Sequence, residues 1–513
     1  MTGSGTGSAE AGGTARIDPV EPRLRWQVLT GDDVGRLDAG IVHVLEEVGV
    51  RFPLARALDA LERGGCRVDR ASRIARLPEA VVRAALQAAP KAPILAARDP
   101  RCDLVLDGRR CYLSNDGCGI WVIDPETGER RASGKADVAD LARFVDAVPQ
   151  VSFYWGPAVT AEDVSLATRP LHELEAIFAN TSKHFQAVDV VGAEMTRRAV
   201  EMARVVAGGA EELRGRPIMS LIACPIDPLS NEAVSLEAAL VAAEAGVPVG
   251  FLSLTLAAAS APATMAGNLV VNLAAVIAGT VMLQLAHPGA PAFLAGTPSV
   301  MDLKTGGYTG GSPEDYVLAA AATQMAHHYG LAMNMGTMAS GAKEPGWQSA
   351  VDDALSTLAS AGAGAEMMSG CGLLDGSKTL SYPHLLMEAE IYGIVQKFAA
   401  GIEVSDETLA LDVIKRVGPN GTYLAEKHTR AHMKDIWRPG VWDRTPYDQW
   451  LREGRRGALE SAEERAREIL RTHAPRAARR RRARRAPAAG RSGRGRAHIA
   501  LACGHVFAGG PAL

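Results

Sequence analysis

The chain has 513 residues, 47% of them hydrophobic, 5% aromatic and 22% charged, with a formal net charge of −3. That content fills a large core and excludes a chain disordered throughout. The seven cysteines are odd in number and scattered, which fits a reducing cytosol better than a disulfide framework, and no charged-then-apolar segment opens the chain; a cytoplasmic protein is expected.

Residues 1–21 are rich in Gly, Ser, Thr and Ala and read as a disordered leader. Residues 22–150 read as a helical and β-hairpin prologue. Asp32 and Asp33 are placed to cap a helix carrying Leu37, Ile41 and Leu45 and stopped at Gly49, and two short helices follow near 54–63 and 79–88. From Cys102 to Val122 the runs CDLVL and RCYLS alternate around Asp107-Gly108, a dipeptide suited to a type I′ turn, so a hairpin is expected. Asn115-Asp116-Gly117 has turn chemistry and offers Asp116 either as an Asx-turn or as a carboxylate facing substrate. Residues 135–147 form an amphipathic helix.

Apolar runs of strand length then begin near Val151, His184, Ile218, Val249, Ala292, Ala332 and Glu366, spaced by about 30 to 43 residues that hold helix patterns. Each interval is one βα unit, and the repetition specifies parallel pairing through right-handed crossovers. Seven units plus one weak one, with no dinucleotide fingerprint after any strand, predict an α/β fold of the (β/α)8 TIM-barrel type over 151–400. Thr379 to Ser381 is a candidate eighth strand. The window from Asn268 to Leu285 is long enough to span a membrane, yet its Asn268, Asn272, Thr280 and Gln284 favour a buried helix. Ala292 to Glu314 reads as a strand, a long glycine-rich loop and a helix start, with Ser312 as N-cap and Pro313 at the first helical position. Residues 401–474 are expected as a helical appendage. Residues 475–513 carry ten arginines and no acid, which leaves the body acidic. This tail lacks interleaved aromatics and reads as a disordered basic extension, or as an out-of-frame ending of the gene, rather than a nucleic-acid arm.

In a parallel barrel the reactive groups gather on the loops after the strands. Those loops hold no zinc-ligand spacing, no HExxH, no P-loop and no nucleophile elbow, so a metal-free cavity with carboxylates and aromatics is expected. The segments Asn180-Thr181-Ser182-Lys183-His184, Gly296-Thr297-Pro298-Ser299 followed by Asp302 and Gly306, Gly311-Ser312-Pro313-Glu314 and Ser340-Gly341-Ala342-Lys343 resemble the trimethylamine methyltransferase, or MttB-like, family. The EEVGVRF and DPETGERRAS stretches look similar too, and the likeness runs from about Leu29 to Pro475. It implies a methyltransferase that passes a methyl group from a methylated amine to the cobalt of a corrinoid carried by a separate partner protein, with no cofactor held permanently by this chain. Founding members use pyrrolysine; this sequence has none, which resembles the branch acting on glycine betaine and other quaternary amines.

A quaternary ammonium leaves as a neutral amine, so the protein's task is to desolvate the cation and align one methyl. Trp155, Phe185, Tyr308 and Trp347 are candidate cage aromatics, and Asp116 and Asp302 candidate counter-charges. Lys304, Lys343 and His184 are candidates for a betaine carboxylate, with Asp302, Lys343 and His184 as the expected catalytic groups. Gly296, Thr297 and Gly370 are expected to border the substrate. A barrel hydrolase or lyase using Asp and Lys as acid and base, and a betaine-binding protein without transfer, are the alternatives. Ala-rich outer helices suggest a homo-oligomer. Neither nucleic acid nor membrane is an expected partner.

Overall fold

Eight short apolar strands pair in parallel and close into a ring, each followed by a helix that returns along the outside. The computed structural model describes residues 15–475 apart from 24, 118, 189 and 191; the leader through residue 14 and the tail from 476 lie outside the described residues. The strands are β1 (Tyr112–Asn115), β2 (Val151–Gly156), β3 (His184–Ala187), β4 (Met219–Ala223), β5 (Val249–Ser253), β6 (Ala292–Gly296), β7 (Met333–Gly336) and β8 (Met367–Cys371). The helices are α1 (Lys135–Ala147), α2 (Arg169–Asn180), α3 (Ala193–Ala207), α4 (Ala233–Glu244), α5 (Met265–Ala286), α6 (Pro313–His328), α7 (Trp347–Ala363) and α8 (Tyr382–Ala399). The fold is a (β/α)8 barrel, as the repeating units predict.

The first strand is the departure. Instead of a hairpin from Cys102 to Val122, Tyr112–Asn115 pairs in parallel with β8 on one side and β2 on the other, while Leu104–Val105 turns back on Ile94–Leu95. The barrel therefore starts within the stretch expected as prologue. Thr379–Leu380, the candidate eighth strand, belongs instead to a small sheet with Leu373–Leu374, Trp121–Ile123 and Arg130–Ala132. Closing the ring satisfies both edges of β1, which local turn chemistry alone leaves open. At the start of the chain, Val20 is buried and bridges Cys111, so the segment expected as leader is already bound to the body by that residue. The first helix, Gly31–His43, is capped by Thr30 in a capping box with Asp33, not by Asp32 or Asp33 as N-cap.

Side chains alternate along each strand, and that alternation divides the core. Leu113, Tyr154, Phe185, Leu221, Leu294 and Met368 join the cluster under the helices. Tyr112, Phe153, Ile222, Phe293 and Met367 fill the ring, where Leu95, Leu104 and Leu106 of the preceding segment close its N-terminal end. The one helix among the described residues long and apolar enough to cross a membrane is α5, and 78% of its most apolar window is buried in the protein. Its polar groups have local uses: Asn268 Nδ2 donates to Ser299 O at 2.7 Å, Thr280 Oγ1 to Val276 O at 2.9 Å, and Gln284 Nε2 to Ala290 O at 2.8 Å.

A buried ammonium ties the base of the ring together. Lys183 is 1% exposed, and its Nζ donates to the carbonyls of Val145 and Val148 at 2.7 Å each and of Val151 at 2.5 Å. It thus joins the C-terminus of α1 to the start of β2, an electrostatically favourable place for a cation. Burial pushes its pKa down to about 8 against the opposing pull of Asp146. Asp146 accepts from Ser182 N at 2.7 Å and from His473 Nε2 at 3.0 Å, which binds the end of the C-terminal helix, Ala458–Thr472, into the same knot. Replacing Lys183 by Met removes the donor from three buried carbonyls. The expected result, read by urea denaturation, is a loss of about 3 kcal/mol or more of stability; an unchanged midpoint would show that this ammonium does not hold the base of the barrel.

Candidate functional site

At the C-terminal ends of the strands the loops build a rim. The four-stranded sheet described above stands over β8 and β1, and a parallel pair, Leu256–Ala257 with Ser299–Val300, prolongs β5 and β6. Between them lies the mouth, where a parallel barrel presents reactive groups.

Asp116 follows β1 directly and is held by its backbone N–H on Cys371 O at 2.8 Å. Its Oδ1 accepts from Gly117 N at 2.8 Å, the local turn expected from the sequence. Its buried Oδ2 has no formed hydrogen bond, with the Ser377 hydroxyl as the neighbour that favours its charge. Burial pushes this carboxyl up to about 7. Asn115 stitches β1 to β2, taking Trp155 N–H on Oδ1 at 3.1 Å and giving Nδ2 to Trp155 O at 2.6 Å. This sets the Trp155 indole against Gly117, where a Cβ would meet its ring at 2.9 Å, and leaves the buried Nε1 unpartnered. Tyr308 comes from the loop after β6; burial first, then Asp315 and Asp116, raise its phenol. A carboxylate, an indole and a phenol from three different strand ends thus converge.

Two more carboxylates border the mouth. Asp227, after β4, accepts Ser253 Oγ on both oxygens at 2.9 Å, and burial raises its pKa. Asp315, in the first turn of α6, accepts from Ser312 N at 3.1 Å and is likewise raised by burial. Among the described residues none of Asp116, Asp227 and Asp315 has an ion-pair partner. Below the mouth a polar chain crosses the ring. Ser369 Oγ donates to Asn334 Oδ1 at 2.9 Å, Asn334 Nδ2 to Gln186 Oε1 at 2.9 Å, Gln186 Nε2 to Ser220 Oγ at 3.3 Å, and Ser220 meets His184 Nε2 at 2.9 Å. A pocket between the loops after β6 and β7, bordered by Thr297, Tyr308, Asp315 and Thr337, encloses about 20 Å³, room for a single water. A concavity of about 1400 Å³ lies outside the barrel between Ala458–Thr472 and the Pro125-Glu126 turn, and among its charges Arg143 pairs with Asp140 at 2.8 Å.

Asp116, Trp155, Gly296, Thr297 and Tyr308 therefore stand at the mouth, and Lys343 stands on its rim with Nζ 3.2 Å from Asp375 Oδ1. Others are elsewhere. His184 begins β3 at the closed end, its Nδ1 2.7 Å from Ala96 O, and burial holds it neutral at about 4. Phe185 has the opposite parity to His184 and Gln186 and packs outward on Phe178 and Tyr154. Asp302 caps an exposed turn by accepting Lys304 N at 3.0 Å and Thr305 N at 2.7 Å, and Lys304 is exposed beside it. Trp347 is 87% exposed at the start of α7. Gly370 has φ 151° and a Cβ there would fall 1.5 Å from Thr337 O, so close backbone approach accounts for it. Asp227, Asp315, Gln186, Asn334 and Ser377 were not singled out in the sequence; position at or near a strand end was the available signal. Asp353, His384 and Glu388 also cluster in three dimensions, and the four-residue step from His384 to Glu388 was its only linear trace.

Compared with known proteins, residues 6–483 match the family described as trimethylamine methyltransferase (MTTB). The chain is 34% identical over 444 residues to trimethylamine methyltransferase MttB of Desulfitobacterium hafniense, covering 86% of this chain and 89% of that one. It is 30% identical over 453 residues to the MttB of Methanosarcina barkeri, with 88% and 92% covered. It is 28% identical to a glycine betaine methyltransferase of Desulfitobacterium hafniense, with 88% and 94% covered. Among solved structures, the monomethylamine methyltransferase MtmB of Methanosarcina barkeri aligns with a TM-score of 0.46 at 11% identity, over 85% of this chain and 92% of that one.

The Asp116 carboxyl has a folded pKa raised above its unfolded value, so the fold favours its protonated form and loses that contribution as pH rises toward 7. Asp116→Asn is accordingly expected to melt higher than the parent at pH 8, with the gap closing toward pH 4. An unchanged or lower melting temperature at pH 8 would mean that the carboxylate is not buried at a cost.

Proposed function

The chain belongs to the trimethylamine methyltransferase (MTTB) family and is a methyltransferase, and on that premise we propose that it moves a methyl group from a quaternary, betaine-like or tertiary methylamine to a corrinoid carried by a partner protein, without pyrrolysine. One observation carries the reading. The mouth holds a carboxylate with a free oxygen, Asp116, beside the Trp155 indole and Tyr308, and among the described residues no cation pairs with it. A quaternary ammonium has the complementary chemistry: a soft positive charge that accepts carboxylate and aromatic faces and offers no N–H of its own.

The corrinoid, on its own protein, supplies a reduced cobalt nucleophile for the methyl carbon. This chain binds and aligns. Asp116, ionised by the arriving cation, balances its charge; Trp155 and Tyr308 wall it, each cation–π contact contributing about 0.5 to 2 kcal/mol. The C–N pair departs with nitrogen, so a quaternary donor leaves as a neutral tertiary amine and needs no general acid. Thr297 borders the same space, and Lys343 on the rim is the proposed partner of a betaine carboxylate, in exchange for Asp375. The partner docks over the rim.

A cytoplasmic homo-oligomer belongs to the same proposal. Segments near the end of the chain expose Ile402 at 81%, Leu411 at 65%, Leu424 at 89% and Ile436 at 65%, apolar side chains that a second copy would cover. Sedimentation is expected to give a dimer or larger assembly; a monomer at micromolar concentration would remove it.

The functional test mixes the purified chain, a reduced corrinoid partner and a panel of betaines and methylamines, and follows methylation of the corrinoid by its visible spectrum. Transfer from a quaternary amine is expected; product without corrinoid would point to a lyase or hydrolase, and binding alone to a binding protein. Asp116→Asn and Trp155→Ala are expected to lower kcat/KM by about tenfold to a hundredfold, and the parent's affinity for the cation is expected to rise with pH through about 7 while that of Asp116→Asn stays flat. Equal rates in parent and variants would place the substrate elsewhere.

A further inference from the structure

Behind the tip of β8, α7 and α8 bury three titratable side chains that the proposed transfer does not use. Asp353 lies on α7, and His384 and Glu388 lie one turn apart on α8, on one face. They are 0%, 1% and 0% exposed. His384 Nε2 is 3.4 Å from Glu388 Oε1 and 3.7 Å from Asp353 Oδ2, and one ligand atom from each residue lies within 4.8 Å of the other two.

None of these contacts is a hydrogen bond. Both oxygens of Asp353, both nitrogens of His384 and Glu388 Oε1 are buried without a partner; Glu388 Oε2 alone is engaged, by Gly372 N at 2.5 Å. Among the described residues neither carboxylate has a lysine or arginine partner. Five such atoms lie in these three residues, and each costs about 1 to 3 kcal/mol when left unmade. Thr357, one turn beyond Asp353 on α7, adds a sixth buried unpartnered atom on the same face.

A divalent cation would engage one ligand atom from each of the three residues. Its charge offsets two carboxylates, and a neutral imidazole is the ligating form, which burial enforces on His384. Tetrahedral ligands at zinc distances of about 2.0 to 2.2 Å stand roughly 3.3 to 3.6 Å from one another, close to the spacings found. We propose that Asp353, His384 and Glu388 bind a divalent transition-metal ion such as zinc in a buried site that locks α7 to α8. Through the Glu388 bond to Gly372 the ion also fixes the residue by which the chain leaves β8. Full burial keeps the site from substrate, so its role is structural.

The test is metal analysis of the full chain purified without chelators. About one equivalent of zinc or a related ion per chain is expected, falling below a tenth in Asp353→Asn and His384→Ala. Because those variants can misfold, the parent is also dialysed against a chelator and titrated with Co2+ alone. Visible d–d bands at one equivalent, with a melting temperature restored by Co2+ or Zn2+ and not by Mg2+, support the site. A metal-free parent that shows neither bands nor a thermal response to Zn2+, Co2+ or Mn2+ overturns it. So does a metal content equal in parent and both folded variants, since the ion is then held elsewhere.

Discussion

Alternation along eight parallel strands is the constraint from which the rest follows. A closed ring admits only every second side chain, and neighbouring residues are sent to opposite faces. His184 and Gln186 enter the ring while Phe185 leaves it for the helices. The interior that results has two zones. Apolar groups such as Phe153 and Phe293 close the lower end with Leu95 and Leu104, and the chain from His184 to Ser369 crosses above them. At the far end Asp116, Trp155 and Tyr308 meet, with a pocket of about 20 Å³ beside Tyr308.

The two ends treat buried charge in opposite ways. At the base, Lys183 meets three carbonyls and Asp146 meets two hydroxyls, an amide and His473, so both of these charges are engaged. At the mouth, Asp116 keeps an unmatched oxygen and a pKa raised to about 7. An unmatched carboxylate is a cost to the empty protein that a cationic guest relieves. Preorganised misfit of this kind suits the cationic donor proposed above.

Much of this architecture is legible in the sequence. Seven strand starts and the helices at 79–88 and 135–147 follow from hydrophobic period, and Ser312-Pro313 marks the start of α6 through its cap. β1 is legible as a strand, the RCYLS arm, but its pairing is not, because Asp107-Gly108 carries a strong local hairpin signal while the strand's true partners, β8 and β2, lie far away in the chain. Of the site, Asp116, Trp155, Thr297 and Tyr308 are readable as strand-end residues. His184 misleads because it sits at the wrong end of its strand. Asp302, Lys304 and Trp347 mislead because a loop residue's composition does not say which way the loop leans. Asp353, His384 and Glu388 escape because half of their meaning lies on a neighbouring helix.

A crystal structure of the chain with a bound quaternary ammonium tests the central claim most directly. The cation is predicted in the mouth, within contact distance of the Asp116 carboxylate and against the Trp155 and Tyr308 rings. Density for the ligand in the outer groove beside Trp442 and Arg465, with the mouth occupied by water alone, would contradict the account.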